Sequence, residues 1–251
     1  MIRNGLFGTN FEAKLFLSIL GIIISLYDWK KNKRKDYPIV FLYGSLFWFA
    51  VEFIIQLQGT RDITSATLFG TIIPMWFAAL LRGISEGGLI ALMGLLFGDR
   101  IFKKTYVKGG SKIITRIVFI VFLILMVISS LSQALPYKDI NGDVASRRLM
   151  FDSGAMIAFT LLFAFIIFWI YKADKPAKLR SLYMFLVMVV ASGIWTLAEV
   201  FANTRWVELG TARAPFIVEF LVLSFDVIIE IALLYVPFFA IPYLFGLIKK
   251  K

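Results

Sequence analysis

Apolar residues occur along this chain in long runs that short polar stretches separate. Seven runs are long enough for helices that cross a bilayer, because about 20 helical residues span a hydrocarbon core of about 30 Å. Their predicted bounds are 11–28, 37–58, 66–98, 114–135, 150–171, 181–202 and 215–248. Continuous apolar runs also differ from the alternating pattern of a β-barrel. The pattern therefore predicts an all-α, polytopic membrane helix bundle with seven transmembrane helices.

Two of the predicted helices contain residues that interrupt helices. The run 66–98 includes Pro74 and a glycine pair, which is compatible with one tilted helix or with two pieces. The run 215–248 includes Pro237 and Pro242, which kink or end a helix. The continuity of both helices is left open by the sequence.

Composition supports the membrane class and narrows the chemistry. Apolar residues make up 60% of the chain, against about 45–50% in ordinary soluble domains. The chain has no cysteine and no histidine, which excludes disulfides, thiol chemistry and histidine-based metal sites or bases. We therefore expect no cofactor, no metal site and no catalytic residue that the sequence can assign.

The formal net charge of +11 is unevenly divided between the two ends of the predicted bundle. Seventeen basic residues lie in the connections and terminus on one side, and seven lie on the other. The positive-inside rule makes the richer side cytoplasmic, which places the N-terminus outside and the C-terminus inside. We expect a multi-pass protein of the plasma (inner) membrane, with one transmembrane domain over 1–251. Its basic clusters would contact anionic membrane lipids rather than nucleic acid.

A spaced motif occurs in two of the predicted helices. It reads S-x2-W-x3-E-x3-[QN], and its members are Ser45, Trp48, Glu52 and Gln56 in one helix, and Ser192, Trp195, Glu199 and Asn203 in the other. Steps of three and four place all four side chains on one helix face.

Further matches at an offset of 144 residues extend the motif to an internal repeat. Tyr27 matches Tyr171, and Glu86 matches Glu230. The predicted plan has a three-helix repeat over 6–98, a linker helix over 114–135 and a second repeat over 150–248. Both repeats start on the same side, so they are related by an axis along the membrane normal. This plan resembles, in architecture, the SWEET-type sugar transporters and the related vitamin transporters.

Ionisable residues inside membrane helices are costly and mark functional interiors. The predicted pocket combines these residues with the repeated motif: Trp48, Glu52, Gln56, Arg82, Glu86, Trp195, Glu199, Asn203, Glu219, Asp226 and Glu230. Arg82 and Asp226 are repeat-equivalent and of opposite charge, so we predict an ion pair between them. Six acids against one arginine leave five carboxylates in excess. Such an interior suits proton coupling, a cationic substrate or a hard cation such as Ca²⁺.

Three functions are compatible with these features. The first is a transporter or channel for a small solute or cation, for which a wet cavity is expected. The second is an intramembrane enzyme acting on a lipid or isoprenoid by carboxylate acid–base chemistry, loosely similar to two-repeat lycopene cyclases. The third is a seven-helix receptor with an outer pocket above a solid core. A retinal protein is disfavoured because the last helix has no lysine before Lys249.

Overall fold

The computed structural model describes residues 2–4, 11–59, 61–63, 66–102, 112–131, 146–148, 151, 153–210 and 212–248. Helices carry the fold in these ranges and form seven segments. Five are simple: α1 (Phe11–Asn32), α2 (Asp36–Leu57), α5 (Lys112–Leu131), α6 (Ser153–Lys172) and α7 (Lys175–Phe201). Two are composite: α3 (Met75–Arg82), a first π segment (Gly83–Leu89) and α4 (Ile90–Phe102); and α8 (Phe216–Phe225), a second π segment (Asp226–Leu233) and α9 (Val236–Leu244).

Within the described residues, four helical segments are long and apolar enough to cross a membrane: Asp36–Leu57, Met75–Phe102, Ser153–Lys172 and Lys175–Phe201. These helices indicate a membrane-embedded protein. Among the other segments, α1 carries charges near both ends, and a turn separates the second π segment from α9. Large apolar side chains on the outside, such as Ile120 of α5 and Ile157 of α6, fit a lipid-facing surface.

The predicted helix over 66–98 begins later than expected. Residues 66–74 form a β-hairpin instead, with strands β3 (Thr67–Leu68) and β4 (Thr71–Ile72). Phe69 and Gly70 link them with φ of 49° and 76°, as two-residue hairpin turns favour. Pro74, in extended conformation, then fixes the helix start. From Met75 to Phe102 the segment is continuous, since the π segment joins α3 to α4 without a gap.

The remaining predicted bounds shift by a few residues. The helix predicted over 181–202 starts at Lys175, because the side chain of Asp174 caps it by accepting from the Ala177 amide at 2.9 Å. The helix predicted over 215–248 is broken near Tyr235 and ends at Leu244. The end of the predicted linker helix, 132–135, lies outside the described residues.

A five-stranded antiparallel sheet covers one end of the bundle. Its strands are β1 (Ile2–Asn4), β2 (Arg61–Ile63), β5 (Ser146–Arg148), β6 (Arg205–Leu209) and β7 (Ala212–Arg213), in the spatial order β2-β5-β1-β6-β7. They come from the N-terminus and from three interhelical connections. This sheet was not predicted, because strands of two to five residues are too short to show a periodic pattern of apolar residues.

The opposite end is joined by a buried polar network around Asp99, which is fully buried at the end of α4. Its carboxylate accepts hydrogen bonds from Arg180 Nε (2.8 Å) and Nη2 (2.6 Å). Arg34 Nη2 and Tyr37 Oη also donate to it, each at 3.2 Å. Arg180 Nη1 lies 2.8 Å from Asp36. The network thereby ties α2, α4 and α7 together.

The main apolar core lies between these two polar ends. It is built mainly from α2, α4, α7 and α9, with residues such as Leu92, Leu95, Met184, Phe238 and Phe239 buried. Glycines allow α2 to approach the first π segment closely. An added Cβ at Gly44 would meet the carbonyl oxygen of Gly87 at 2.6 Å, so the two backbones are in direct contact.

Candidate functional site

A cavity of about 110 Å³ lies on the sheet side of the apolar core. Both halves of the chain contribute to its wall. The lining residues are Lys14, Trp48, Arg61, Arg82, Glu86, Ile90, Trp195, Glu199, Arg205, Asp226, Glu230, Ile231 and Tyr235. Eight of these thirteen side chains are charged, so ionisable residues make up most of the wall of this chamber.

The first half of the chain contributes a cluster around the fully buried Glu52 of α2. Glu52 Oε1 lies 3.1 Å from Arg61 Nη1 of β2, and its Oε2 lies 3.6 Å from Arg82 Nη1 of α3. Lys14 Nζ of α1 donates to Glu86 Oε1 at 2.5 Å. Arg82 Nη1 also lies 4.0 Å from Glu86 Oε2. One glutamate thus lies between two arginines.

The second half contributes a cluster of the opposite composition, in which one arginine lies between two acids. Arg205 Nη1 of β6 lies 3.2 Å from Glu199 Oε2 of α7. Its Nη2 contacts Asp226 Oδ2 at the start of the second π segment. Arg61 and Arg205 bring the sheet into the site, so the sheet forms part of the chamber wall.

The two glutamates that match across the predicted repeat, Glu86 and Glu230, both belong to π segments. Glu86 lies in Gly83–Leu89 and Glu230 in Asp226–Leu233, and both line the cavity. Single π turns are rare in proteins as a whole, but a large share of them occurs at functional sites. The wider helix changes the direction in which its side chains extend. Arg82 and Asp226 lie at the first junction of each π segment with its α-helix.

Aromatic side chains complete the wall. Trp48 stacks on Tyr235, with ring centroids 5.7 Å apart and planes inclined by 28°. Tyr235 Oη donates a 2.8 Å hydrogen bond to the backbone carbonyl of Glu86. The indole N–H of Trp48 is buried without a hydrogen-bond partner among the described residues. Buried donors are normally satisfied, so this group can serve a bound molecule or water.

Four of the eleven residues predicted from sequence, Glu52, Gln56, Asn203 and Glu219, do not belong to the cavity lining. Gln56 Nε2 donates to Glu52 Oε2 at 3.3 Å, and Asn203 Oδ1 accepts from Arg213 Nη1 at 3.1 Å. Glu219 is bound by Arg213, with Nη2 to Oε1 at 2.6 Å. Glu52 lies behind Arg61 and Arg82. The other seven predicted residues, Trp48, Arg82, Glu86, Trp195, Glu199, Asp226 and Glu230, all line one chamber.

The predicted excess of five carboxylates is wrong once the partners of the acids are counted. The same six acids are accompanied by five cations: Lys14, Arg61, Arg82, Arg205 and Arg213. The prediction left these cations out because Lys14 and the sheet arginines lie at predicted helix ends or in predicted connections. The described contacts place Asp226 on Arg205 and Arg82 on Glu52, while an Arg82–Asp226 pair stays a prediction.

Sequence reasoning missed Lys14 and Tyr235. Lys14 stands close to the start of α1, where a lysine is ordinarily a wet terminal residue. Its partner Glu86 is 72 positions away, and only the packing of α1 on the first π segment brings them together. In the described part of the chain, no group of three or more histidine, cysteine or acidic residues is arranged to hold a metal ion.

Comparisons with known proteins return no family. No protein-family model, no curated protein and no solved structure matches this chain. Its function must therefore be inferred from the chemistry of the chamber.

Proposed function

We propose that this protein is a seven-span membrane transporter that binds a small charged solute in the chamber between its two halves. The observation that carries the proposal is the chamber itself: eight charged side chains surround about 110 Å³ of space inside an apolar bundle. Burying so many ionisable groups in a membrane is costly, and such groups mark substrate or ion pathways.

Equivalent features in the two halves support an origin by internal duplication. Trp48 and Trp195 both line the chamber. Glu52 pairs with Arg61 at 3.1 Å, and its counterpart Glu199 pairs with Arg205 at 3.2 Å. A π segment follows the first α-helix of the third helical segment and of the seventh. Parallel three-helix repeats around a linker helix, with the solute between them, are the organisation that we infer.

The arrangement of the ends supports a chain that runs back and forth through the membrane. Strands of the sheet come from the N-terminus and from connections that precede α3, α6 and α8. The connection after α1 and the beginning of α7 meet at the opposite end, where Arg34 and Arg180 bind Asp99. With the basic excess at that second end, we infer that the sheet is outside the cell and the Asp99 network is cytoplasmic.

The chamber is better suited to a small polar solute than to a lipid or isoprenoid. Pockets for drug-sized ligands have volumes of about 300–1,000 Å³ and mostly apolar walls. This chamber is smaller, and Ile90 and Ile231 are its two aliphatic lining residues. The enzyme hypothesis therefore finds less support than transport.

Transport would use the two polar ends in alternation. In the structure the chamber lies next to the sheet, while the apolar core and the Asp99 network fill the path to the other end. This is the arrangement expected of one state of an alternating-access cycle, open or occluded toward the outside. Protonation of an acid of the chamber such as Glu199 would weaken its ion pair with Arg205 and couple the cycle to protons.

A receptor is the second candidate, and the same solid core favours it. A seven-helix receptor is expected to hold its ligand in an outer pocket without a path through the bundle. The two functions differ in one measurable property, since only the transporter moves its ligand across the membrane.

The test begins with native mass spectrometry of protein purified gently from its own membranes. A bound small polar molecule supports the proposal, and a bound isoprenoid or lipid that is lost in Glu230→Gln favours the enzyme. The identified molecule is then assayed for uptake into proteoliposomes at two pH values. Arg116→Gln, a change on the exposed surface of α5, is the matched control. Binding without uptake would overturn transport in favour of the receptor.

A further inference from the structure

We infer that the solute is a small zwitterion, with its anionic group held by the first half of the chain and its cationic group by the second. The inference rests on the proposed function of the chamber and names the class of its ligand. It follows from an unequal division of charge between the two walls.

The first wall is formed by residues of the first half and is cationic. Its ionisable members are Lys14, Arg61 and Arg82, with Glu52 and Glu86 as their partners. In the part of this wall that the structure describes, three cations against two carboxylates give a formal charge of +1. The indole donor of Trp48, buried and without a hydrogen-bond partner among the described residues, belongs to the same wall.

The second wall is formed by residues of the second half and is anionic. Its ionisable members are Arg205 on one hand and Glu199, Asp226 and Glu230 on the other. Among the described residues that line this wall, one cation against three carboxylates gives a formal charge of −2. Trp195 lies on this wall, and an indole face is the strongest aromatic binder of an ammonium group.

Two positions create this difference within an otherwise matched set. Both halves have the same three groups, with Glu52, Arg61 and Glu86 in the first matching Glu199, Arg205 and Glu230 in the second. These three groups give each wall the same charge. The walls differ because Arg82 is matched by Asp226, and because Lys14 is matched by Ala158 at the offset of 144.

A polarised chamber selects against ligands with a single charge. A ligand with only a positive charge would be repelled by Lys14 and Arg82, and one with only a negative charge by Asp226 and Glu230. In each case repulsion from one wall offsets much of the binding free energy gained at the other. A neutral solute would make no charge–charge interaction that offsets the free energy of burying these groups. A zwitterion is attracted at both ends. The volume of about 110 Å³ limits it to a few heavy atoms, as in small amino acids.

The first experiment measures binding by the whole purified protein in detergent, using isothermal titration calorimetry. The zwitterions are alanine, γ-aminobutyrate, glycine betaine and phosphoethanolamine, and the singly charged references are butyrate and butylamine. We expect at least one zwitterion to bind about tenfold or more tightly than both references, since each charged contact is worth about a factor of ten. If no zwitterion binds more tightly than butylamine or butyrate, the inference is overturned.

Variants then test which wall holds which group. Arg82→Gln should weaken binding of the best zwitterion and of butyrate by about tenfold, while Glu230→Gln should weaken the zwitterion and butylamine. Arg116→Gln on the outer face of α5 should change none of them. Because each variant is compared across three ligands, a general loss of folded protein would lower all three together. Losses no larger than in Arg116→Gln would contradict the assignment of the walls.

Uptake into proteoliposomes separates this inference from the proposed function. A zwitterion that binds and accumulates supports both. A zwitterion that binds without crossing the membrane leaves the ligand class intact and overturns transport. Accumulation of butylamine in preference to every zwitterion retains transport and overturns the zwitterion.

Discussion

Tyr235 donates a 2.8 Å hydrogen bond to the backbone carbonyl of Glu86, a residue 149 positions earlier in the chain. The bond links the turn before α9 to the middle of the first π segment. It therefore fixes the position of Tyr235 in the chamber wall relative to Glu86, whose carboxylate binds Lys14. Few other groups of the site connect its two halves so directly.

Removing this hydroxyl should destabilise the protein. Tyr235→Phe keeps the stacking on Trp48 but leaves the buried carbonyl of Glu86 without this donor. A free energy of unfolding lowered by about 1–3 kcal/mol is expected, measured by chemical denaturation in mixed micelles. Tyr171→Phe, at a ring that is 81% exposed, is the control and should change the stability by less than about 0.5 kcal/mol. Equal effects of the two changes would contradict the role of the hydroxyl.

Arg82 and Asp226 should be energetically coupled across the chamber. Each is almost fully buried, with Arg82 just before the first π segment and Asp226 at the start of the second. The predicted repeat makes the two positions equivalent, and their charges are opposite. Arg82→Ala should be strongly destabilising, and adding Asp226→Ala should restore part of the loss. A coupling of about 0.5–3 kcal/mol is expected from the double-mutant cycle, measured by denaturation. Strict additivity of the two losses would refute an ion pair between them.

The close approach of α2 to the first π segment should not tolerate a methyl group. In Gly44→Ala the new Cβ would lie 2.6 Å from the carbonyl oxygen of Gly87, so one backbone must move. We expect a loss of about 1–3 kcal/mol in unfolding free energy. Gly193→Ala is the matched control in α7, because its nearest neighbour would be Val227 Cγ1 at 3.9 Å. It should be neutral, or stabilising by up to about 1 kcal/mol through helix propensity.

The network at the other end of the bundle should contribute strongly to stability. Asp99→Asn removes a buried negative charge and leaves Arg180 and Arg34 facing a neutral amide. Breaking a buried ion pair from one side costs about 3–5 kcal/mol. Thermal unfolding should therefore shift to clearly lower temperature than in the exposed control Arg116→Gln. An unchanged unfolding temperature would contradict a stabilising role for the Asp99 carboxylate.

The helices were predictable because burying a backbone in lipid requires long apolar runs, and such runs are visible in any sequence. The hairpin before Met75 was hidden within one of them, although the β-branched Thr67, Thr71 and Ile72 favour strands over helix. Gly70, with a φ of 76°, favours the turn between them. Short strands give no periodic signal. The sheet at the end of the bundle therefore emerges only from pairing between distant segments.

The chamber was partly predictable for a related reason. Charged residues inside apolar runs, such as Glu86, Asp226 and Glu230, stand out because their burial is costly. The repeated spacing of tryptophan and glutamate added Trp48 and Trp195. Nothing comparable marks Lys14 or Arg61, which lie near helix ends where charge is common. Their partners are chosen by the packing of helices, and that information is not local in the sequence.

The position of β1 has a consequence for how the protein is made. This N-terminal strand lies in the middle of the sheet, where Ile2 pairs with both Arg148 and Val207. A ribosome synthesises Ile2 long before Val207. Ile2 therefore cannot pair with β6 until that much later strand has been made, and closing so long a loop is slow. Arg205 lies in the same strand, so a chain synthesised only as far as α7 lacks part of the chamber wall.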